Sequence, residues 1–187
     1  MLVADLKKII REVPDFPKPG VNFYDLTTLF RSAEAFRTAT DKMIERYRGE
    51  KIDAIVGIEA RGFVVASAMA HDLGLGLILV RKPAKLPADV ESEEYSLEYG
   101  TGRIEVHRDA VAPGQRLLIV DDLLATGGTA AAAGRLAERL GGVVEGFGFM
   151  VELGFLNGRR LLGTAPVFSL IHYASSGAPG AGVHEGL

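Results

Sequence analysis

Two kinds of hydrophobic spacing divide the chain. Near its start, the apolar residues between positions 2 and 13 fall on one helical face, which predicts an amphipathic helix there. The stretch 14–20 holds three prolines and a Pro-Gly step, which predicts a turn-rich connection. A second helix is predicted over residues 33–48, with Ser32 as its N-cap.

From residue 52 onward, short aliphatic runs alternate with helical patterns. Strands are predicted at 52–58, 77–80, 117–120, 143–151 and 167–172, and helices at 62–73 and 129–140. Continuous apolar strands separated by helices are typical of a parallel sheet covered on both faces. The predicted fold class is therefore α/β: one domain over residues 1–187, with a central, mostly parallel sheet flanked by helices.

Two segments show no regular spacing of apolar residues. Residues 82–101 include four glutamates, and a loop of this length in a compact domain is usually a mobile functional element or a disordered insert. Strand-like alternation resumes over residues 103–107. The tail, residues 174–187, is rich in Gly, Ala, Ser and Pro, and we expect it to be flexible.

Composition narrows the class of protein. The chain is 48% apolar and 24% charged, as in ordinary soluble proteins, and no apolar run is long enough to span a bilayer. The first residues lack the pattern of a signal peptide, and there is no cysteine, so a cytoplasmic location is expected. A net charge of −3 argues against broad binding to nucleic acid, and we expect no membrane partner.

A glycine-rich loop follows the predicted strand at 117–120. Gly127 and Gly128 let the backbone curl around a phosphate, and Thr126 and Thr129 can donate hydroxyl hydrogen bonds. The helix that follows presents free N–H groups and the positive end of its dipole, which favour an anion. The loop is neither a P-loop nor a dinucleotide fingerprint, because it lacks Gly-Lys-Ser/Thr and Gly-x-Gly-x-x-Gly.

Two carboxylates stand between that strand and the loop. Asp121 and Asp122 can accept hydrogen bonds from the vicinal hydroxyls of a ribose beside the phosphate. Helix capping alone would explain a lone Gly-Gly, but two acids, two threonines and the strand–loop–helix order coincide here. We therefore interpret the segment as a sugar-phosphate site.

The same segment carries a family resemblance. Residues 120–129 (Val-Asp-Asp-Leu-Leu-Ala-Thr-Gly-Gly-Thr) resemble the motif with which type I phosphoribosyltransferases bind phosphoribosyl pyrophosphate (PRPP), in the form typical of the adenine-specific members. Four further segments match that family in the same order: residues 15–25, 59–63, 80–87 and 95–100. The resemblance implies the type I phosphoribosyltransferase fold, with a small N-terminal hood (1–35) and a flexible lid loop (82–101).

The resemblance also implies an activity. The reaction would transfer the 5-phosphoribosyl group of PRPP to N9 of adenine, giving AMP and pyrophosphate, with Mg²⁺ bridging substrate oxygens. A homodimer is implied as well, in which a residue of the neighbouring subunit approaches the site. The phosphate and ribose would be bound by Asp121, Asp122, Ala125, Thr126, Gly127, Gly128 and Thr129.

Charged residues recur where predicted strands end, and ligands of parallel sheets bind at that edge. Pyrophosphate needs a basic site there, because charge develops on it as the bond to C1′ breaks. The residues expected to bind it are Ala60, Arg61, Arg81, Lys82 and Lys85. The resemblance implies that the backbone around Ala60 and Arg61 makes this contact, with a strained or cis peptide bond nearby.

The remaining roles follow from the resemblance. Adenine would bind among Val21, Asn22, Phe23, Tyr24 and Leu123, with the backbone near Val21–Phe23 reading the amino group and N1. Tyr24 stands where the family usually has a basic residue over the base. Glu98 would be the acid/base near N7, with Arg61 and Lys82 assisting catalysis, while Tyr95 and Tyr99 would pack over the closed site.

The sequence disfavours three other functions. A phosphoribosyltransferase for 6-oxopurines needs a donor at O6, commonly a lysine, and residues 130–135 offer none. A regulator that only senses PRPP usually carries an added DNA-binding domain, and the first fifty residues are already assigned to the hood and a helix. A metal hydrolase is disfavoured because His71, His107, His172 and His184 are scattered without an i, i+4 pair.

Overall fold

The computed structural model describes residues 2–96 and 101–175. The helices are α1 (Val3–Ile9), α2 (Thr27–Phe30), α3 (Ala33–Tyr47), α4 (Gly62–Leu73) and α5 (Gly128–Arg139), with 3₁₀ turns at Gly154–Leu156 and Gly158–Leu161. The strands are β1 (Arg11–Pro14), β2 (Asn22–Asp25), β3 (Ala54–Ile58), β4 (Gly76–Val80), β5 (Val90–Ser96), β6 (Thr101–His107), β7 (Arg116–Leu124), β8 (Val143–Leu153) and β9 (Val167–Tyr173). None of the helices in these ranges is long and apolar enough to cross a membrane.

A parallel sheet of five described strands, in the order β4–β3–β7–β8–β9, forms the centre of the fold. Every residue of β3 is buried, as expected for a strand covered on both faces. The predicted parallel α/β sheet is confirmed. The main difference is that β7 continues to Leu124, four residues past its predicted end, and so carries the two aspartates within the strand.

Helices cover both faces of this sheet. On one face, Met43 of α3 and Met69 of α4 pack in a fully buried cluster with Leu118 of β7. On the other face, Leu136 of α5 packs against Ile119 of the same strand. The alternation of β7 side chains between the two clusters places its carboxyl end between two helical layers. The N-cap of α3 is also as predicted, because the Ser32 hydroxyl accepts from the Ala35 N–H.

The first helix is shorter than predicted. It ends at Ile9, and Arg11–Pro14 instead forms β1, which pairs antiparallel with β2. A proline at position 14 disfavours helical conformation at Val13, and the antiparallel partner supplies the hydrogen bonds that a helix would have made. The hood therefore contains a short β-ribbon in which Val13 lies opposite Phe23.

The prediction of an irregular segment over residues 82–101 is wrong for its second half. Residues 90–96 form β5, which pairs antiparallel with β6 from Val90–His107 to Ser96–Thr101. Ion pairs from Glu93 to Arg135 (Nε–Oε1, 2.6 Å) and to Arg139 hold this pair of strands against α5. Polar residues dominate β5, so its strand character is not visible as an apolar pattern. Residues 97–100 and 176–187 lie outside the described residues.

One buried hydrogen bond joins α3 to the central sheet. The Tyr47 hydroxyl donates to the Phe147 carbonyl oxygen at 3.0 Å, and the Tyr47 side chain is 6% exposed. We expect Tyr47→Phe to lower the free energy of unfolding by about 1–2 kcal/mol, because the buried carbonyl loses its donor. Urea unfolding measures this change.

The matched control is Tyr173→Phe. The Tyr173 hydroxyl lies 3.5 Å from the Lys7 carbonyl oxygen, at the limit of a hydrogen bond. Its removal should therefore cost clearly less. If both variants lose the same free energy of unfolding, the hydrogen bond of Tyr47 does not account for the loss.

Candidate active site

A cavity of about 590 Å³ opens where the carboxyl ends of three parallel strands meet the hood. The lining residues at these ends are Ile58 and Glu59 at the end of β3, Val80 and Lys82 at the end of β4, and Asp121 to Ala125 at the end of β7. The hood closes the opposite side with Val13, Phe16, Asn22, Phe23, Tyr24, Asp25 and Thr27. A cavity at the carboxyl edge of a parallel sheet is where α/β proteins bind ligands.

The loop between β7 and α5 forms one wall of the cavity. Gly127 has a φ of +87°, a conformation that glycine adopts without steric cost, and α5 begins at the next residue. Ala125, Gly127, Thr129 and Ala130 line the cavity, whereas Thr126 and Gly128 are not among its lining residues. The first N–H groups of α5 and the positive end of its dipole lie at this wall, so it can bind an anion.

Asp121 and Asp122 lie beside this wall. Burial raises the pKa of Asp121, and the neighbouring carboxylate of Asp122 raises it further. Burial also raises the pKa of Asp122, which is 4% exposed, but the guanidinium of Arg61 opposes that effect (Nε–Oδ2, 2.7 Å). The site thus holds one acid paired with a cation and a second acid whose charged form is disfavoured by burial and by its neighbour.

Two of the four predicted basic side chains line the cavity, Arg61 and Lys82. Arg81 is instead held by Glu59, with 3.2 Å from Nε to Oε2 and 3.1 Å from Nη2 to Oε1. Arg81 also donates from Nη1 to the Lys85 carbonyl oxygen at 2.9 Å, and neither Arg81 nor Lys85 is among the lining residues. Binding of pyrophosphate by these four residues remains a prediction.

Glu59 organises the ends of two strands, a role that sequence reasoning missed. Its Oε2 accepts the Lys82 N–H at 2.9 Å in addition to the Arg81 guanidinium. Partial burial favours the neutral acid, but the bonds from Arg81 and Lys82 outweigh it and lower the pKa of Glu59. The peptide bond from Glu59 to Ala60 is cis, one bond before the pair for which the resemblance implied a special peptide. Ala60 lines the cavity.

The hood supplies an aromatic wall. Phe23 and Leu123 both line the cavity, as required for two surfaces that hold a planar ring. The guanidinium carbon of Arg61 lies 5.3 Å from the centre of the Phe23 ring. Phe16, which the sequence analysis did not select, packs its ring edge-to-face with Phe23 at 5.2 Å between centroids.

The other predicted base-binding residues are more deeply buried. Tyr24 borders the cavity, but its ring is 2% exposed and packs 4.4 Å from the ring of Tyr173. Asn22 is 3% exposed and donates from Nδ2 to Glu12 at 2.9 Å. Val21 is buried and is not a lining residue. Strand alternation explains this arrangement, because Phe23 faces away from its two neighbours in β2.

The lid can be described only in part. Tyr95, at the end of β5, lines the cavity together with Ile104 of β6. Glu98 and Tyr99 lie outside the described residues, so their positions remain predictions. In the described part of the chain, no group of three or more His, Asp or Glu side chains is arranged to hold a metal ion.

Known proteins are similar to this chain in both sequence and fold. The chain is 55% identical over 171 residues to the adenine phosphoribosyltransferase of Solibacter usitatus, which covers 91% of this chain and 99% of that relative. It is 54% identical to the enzyme of the same name from Chloroflexus aurantiacus, over 92% of this chain and 100% of the relative.

Solved structures agree with these relatives. The adenine phosphoribosyltransferase of Thermoanaerobacter pseudethanolicus superposes with a TM-score of 0.90 at 48% identity, over 92% of this chain and 100% of that one. The Saccharomyces cerevisiae enzyme, solved with adenine and an imino-altritol bisphosphate, gives a TM-score of 0.84 at 40% identity, over 90% and 97%.

A family model points the same way. The model of the phosphoribosyl transferase domain matches residues 26–145, from the end of the hood ribbon to the start of β8. This range includes the cavity wall at 121–129 and the strand ends after β3 and β4. The type I phosphoribosyltransferase fold expected from the sequence motifs is therefore confirmed. The chain belongs to the phosphoribosyl transferase family and, within it, to the adenine phosphoribosyltransferases.

Proposed function

We propose that this chain is a purine salvage enzyme of the cytoplasm that transfers the 5-phosphoribosyl group of PRPP to N9 of adenine, giving AMP and pyrophosphate. One observation carries the proposal: the anion-binding loop after β7 and the aromatic wall of the hood line the same cavity. A sugar phosphate and a planar base therefore fit side by side. The names of the relatives and the adenine bound to the yeast enzyme support this substrate pair.

The PRPP half of the site uses backbone and carboxylate groups. The 5-phosphate would accept hydrogen bonds from N–H groups between Ala125 and Thr129, and from the hydroxyls of Thr126 and Thr129. Asp121 and Asp122 would accept the two ribose hydroxyls. Hydrogen bonds from the ribose hydroxyls would favour the ionised carboxylates, whose pKa values burial raises.

The adenine half uses stacking and backbone recognition. Phe23 and Leu123 would sandwich the ring, while backbone groups between Val21 and Phe23 would accept from the 6-amino group and donate to N1. The Tyr24 ring packs against Tyr173. Tyr24 would therefore support the hood and would not cover the base.

Pyrophosphate would leave on the side where basic groups meet the strand ends. Arg61, Lys82 and the Ala60 backbone line that side of the cavity. Arg81 and Lys85 would add positive charge at its rim. Mg²⁺, when bound, would neutralise charge on PRPP oxygens, with most of its ligands from substrate and water. Asp121 and Asp122, which line the cavity, would orient the ribose by accepting from its hydroxyls.

The reaction would be a displacement at C1′ with inversion and without a covalent enzyme intermediate. Its oxocarbenium-like centre must be kept from water, so the segment 82–101 would act as a lid. Tyr95 and Tyr99 would pack over the closed site. Glu98 would hold a proton near N7 of adenine, and so assist N9 as the nucleophile.

We also propose a homodimer. The edge strand β4 exposes Leu77 and Leu79, and the adjoining helix α4 exposes Val64, at 36%, 39% and 42%. Apolar side chains exposed at a sheet edge are typical of a surface that another subunit covers. In such a dimer, a residue near this surface would approach the site of the partner subunit.

The discriminating experiment compares bases. The protein, PRPP and Mg²⁺ are incubated in parallel with adenine, hypoxanthine and guanine, and nucleotide formation is followed. We expect AMP formation with kcat/KM for adenine at least about a hundredfold above the others, because 6-oxo bases offer an acceptor where the site needs a donor. Preference for hypoxanthine or guanine would assign a 6-oxopurine enzyme. Binding of PRPP without turnover of any base would assign a sensor.

Asp121 should lower the stability of the fold at neutral pH, although its carboxylate would accept from the ribose of PRPP. Its native pKa is raised above the ordinary 3.8, so the stability it contributes is complete at lower pH and is lost as pH rises through the raised value. Asp121→Asn should therefore increase the free energy of unfolding at neutral pH by about 1 kcal/mol and flatten its pH dependence. The same variant should use PRPP less well.

Urea unfolding of the ligand-free protein, in mildly acidic and in neutral buffer, measures this effect. The control is Asp109→Asn, which changes an exposed carboxylate in the loop after β6. A stability difference between Asp121→Asn and wild type that stays constant over this pH range would contradict the assignment.

Glu98 should act on the chemical step. Glu98→Ala should lower kcat roughly a hundredfold or more, because the base loses its proton-transfer partner. AMP affinity, measured by calorimetry, should change little. Glu94→Ala removes an exposed glutamate of β5 and serves as the control for charge in this region. If AMP affinity falls as far as kcat, Glu98 binds the nucleotide and has no acid/base role.

A further inference from the structure

The phosphate loop rests on a second backbone segment that does not line the cavity. A Cβ atom added at Gly127 would overlap the Gly158 carbonyl oxygen, and one added at Gly158 would overlap the Ala125 carbonyl oxygen. The Cβ atom added at Gly158 would also lie only 3.0 Å from the Gly127 nitrogen. Because backbone meets backbone with no side chain between them, a displacement of Gly158 would displace the loop.

Gly158 belongs to a segment with little regular structure of its own. It begins the 3₁₀ turn Gly158–Leu161, after Asn157 at a φ of +56°. The turn is closed by i,i+3 hydrogen bonds, such as Arg160 N–H to the Asn157 carbonyl at 3.1 Å. Short 3₁₀ turns have weak local hydrogen bonding, so contacts with the rest of the fold must fix this one.

Arg159 provides those contacts. Its guanidinium forks onto Glu152, with 2.6 Å from Nε to Oε1 and 2.6 Å from Nη2 to Oε2. It also donates from Nη1 to the Val167 carbonyl at 3.0 Å and from Nη2 to the Ser169 hydroxyl at 2.7 Å. These bonds tie the turn to both β8 and β9.

The carboxylate at the centre of this anchor is buried. Glu152 is 4% exposed near the end of β8, and the Ser169 hydroxyl donates to its Oε2. A buried carboxylate requires a partner that satisfies both oxygens, and the planar fork of an arginine does so where the single ammonium of a lysine does not. None of Glu152, Arg159 and Ser169 lines the cavity, so their influence on a ligand must pass through the loop.

We propose that Arg159 and Glu152 are positioning residues for PRPP, which act by holding Gly158 beneath the loop at 125–127. The inference rests on the proposed function, in which that loop binds the 5-phosphate. An anion site made of backbone N–H groups is sensitive to small shifts, because each hydrogen bond needs its geometry. The adenine wall, formed by Phe23 and Leu123, has no such contact with Gly158.

The first test is Arg159→Lys, which keeps the charge and loses the fork. KM for PRPP should rise roughly tenfold, by analogy with the loss that follows removal of an orienting partner in other binding sites. KM for adenine should stay within about twofold, since stacking on the hood is untouched. Calorimetry with ribose 5-phosphate, a probe of the loop without base or pyrophosphate, should show the same roughly tenfold loss.

The chain offers a matched control. Arg116 forks onto Asp53 with similar geometry, 2.9 Å from Nε to Oδ2 and 2.6 Å from Nη2 to Oδ1, at the amino end of β7. Arg116→Lys loses the same kind of bond at the end of the sheet away from the cavity. It should leave both KM values unchanged. If it raises KM for PRPP as much as Arg159→Lys does, the effect is one of general stability and the proposal fails.

A second variant acts at the contact itself. Gly158→Ala leaves the anchor intact but forces the loop to move, and it should weaken ribose 5-phosphate at least as much as Arg159→Lys. Gly158→Ala also tests the proposal if Arg159→Lys does not fold. Unchanged ribose 5-phosphate affinity in Gly158→Ala, or equal losses for PRPP and adenine in either variant, would overturn the inference.

These outcomes separate the inference from the proposed function. Wild-type protein that binds ribose 5-phosphate but forms no nucleotide would refute the proposed transfer reaction. The effect of Arg159→Lys on ribose 5-phosphate affinity would still decide whether the anchor positions the loop.

Discussion

The site depends on the ion pair between Arg61 and Asp122. Arg61 lies at the junction of β3 and α4, Asp122 lies in β7, and the pair joins them at 2.7 Å. The same guanidinium lies near the Phe23 ring of the hood, so one side chain links the ends of β3 and β7 to the aromatic wall of the cavity. Without Arg61, the buried carboxylate of Asp122 would lose the cation paired with it, which costs about 3–5 kcal/mol.

Much of the fold could be predicted because burial leaves a pattern. A strand covered on both faces is a continuous apolar run, and β3 and β7 have that form. The strand β5 has no such run, because its glutamates face arginines of α5 some forty residues away in sequence. Ion pairs over that distance are invisible to a local pattern. The predicted first helix is too long because Val13 fits the apolar face of a helix as well as the strand β1 in which it lies.

The candidate site was predictable to the same degree. The loop at 121–129 combines glycines, threonines and acids in a context that few other functions share, and it lines the cavity. The pairing of Arg81 with Glu59 was missed, since a charged residue at a strand end does not reveal its partner. Gly158 was missed for another reason: a contact between two backbones leaves no side-chain signal, and only the requirement for glycine at both positions records it.

The hood joins the first residues of the chain to the last described strand. Tyr24 packs on Tyr173, and the Lys7 ammonium donates to the His172 carbonyl at 3.2 Å. These contacts span some 150 residues of sequence, so they form only when nearly the whole chain is available. The phosphate loop needs the same late strand, because Arg159, which holds Gly158 against it, donates to Val167 and Ser169 of β9. During synthesis on the ribosome, neither half of the cavity would therefore have its support until β9 has left the exit tunnel.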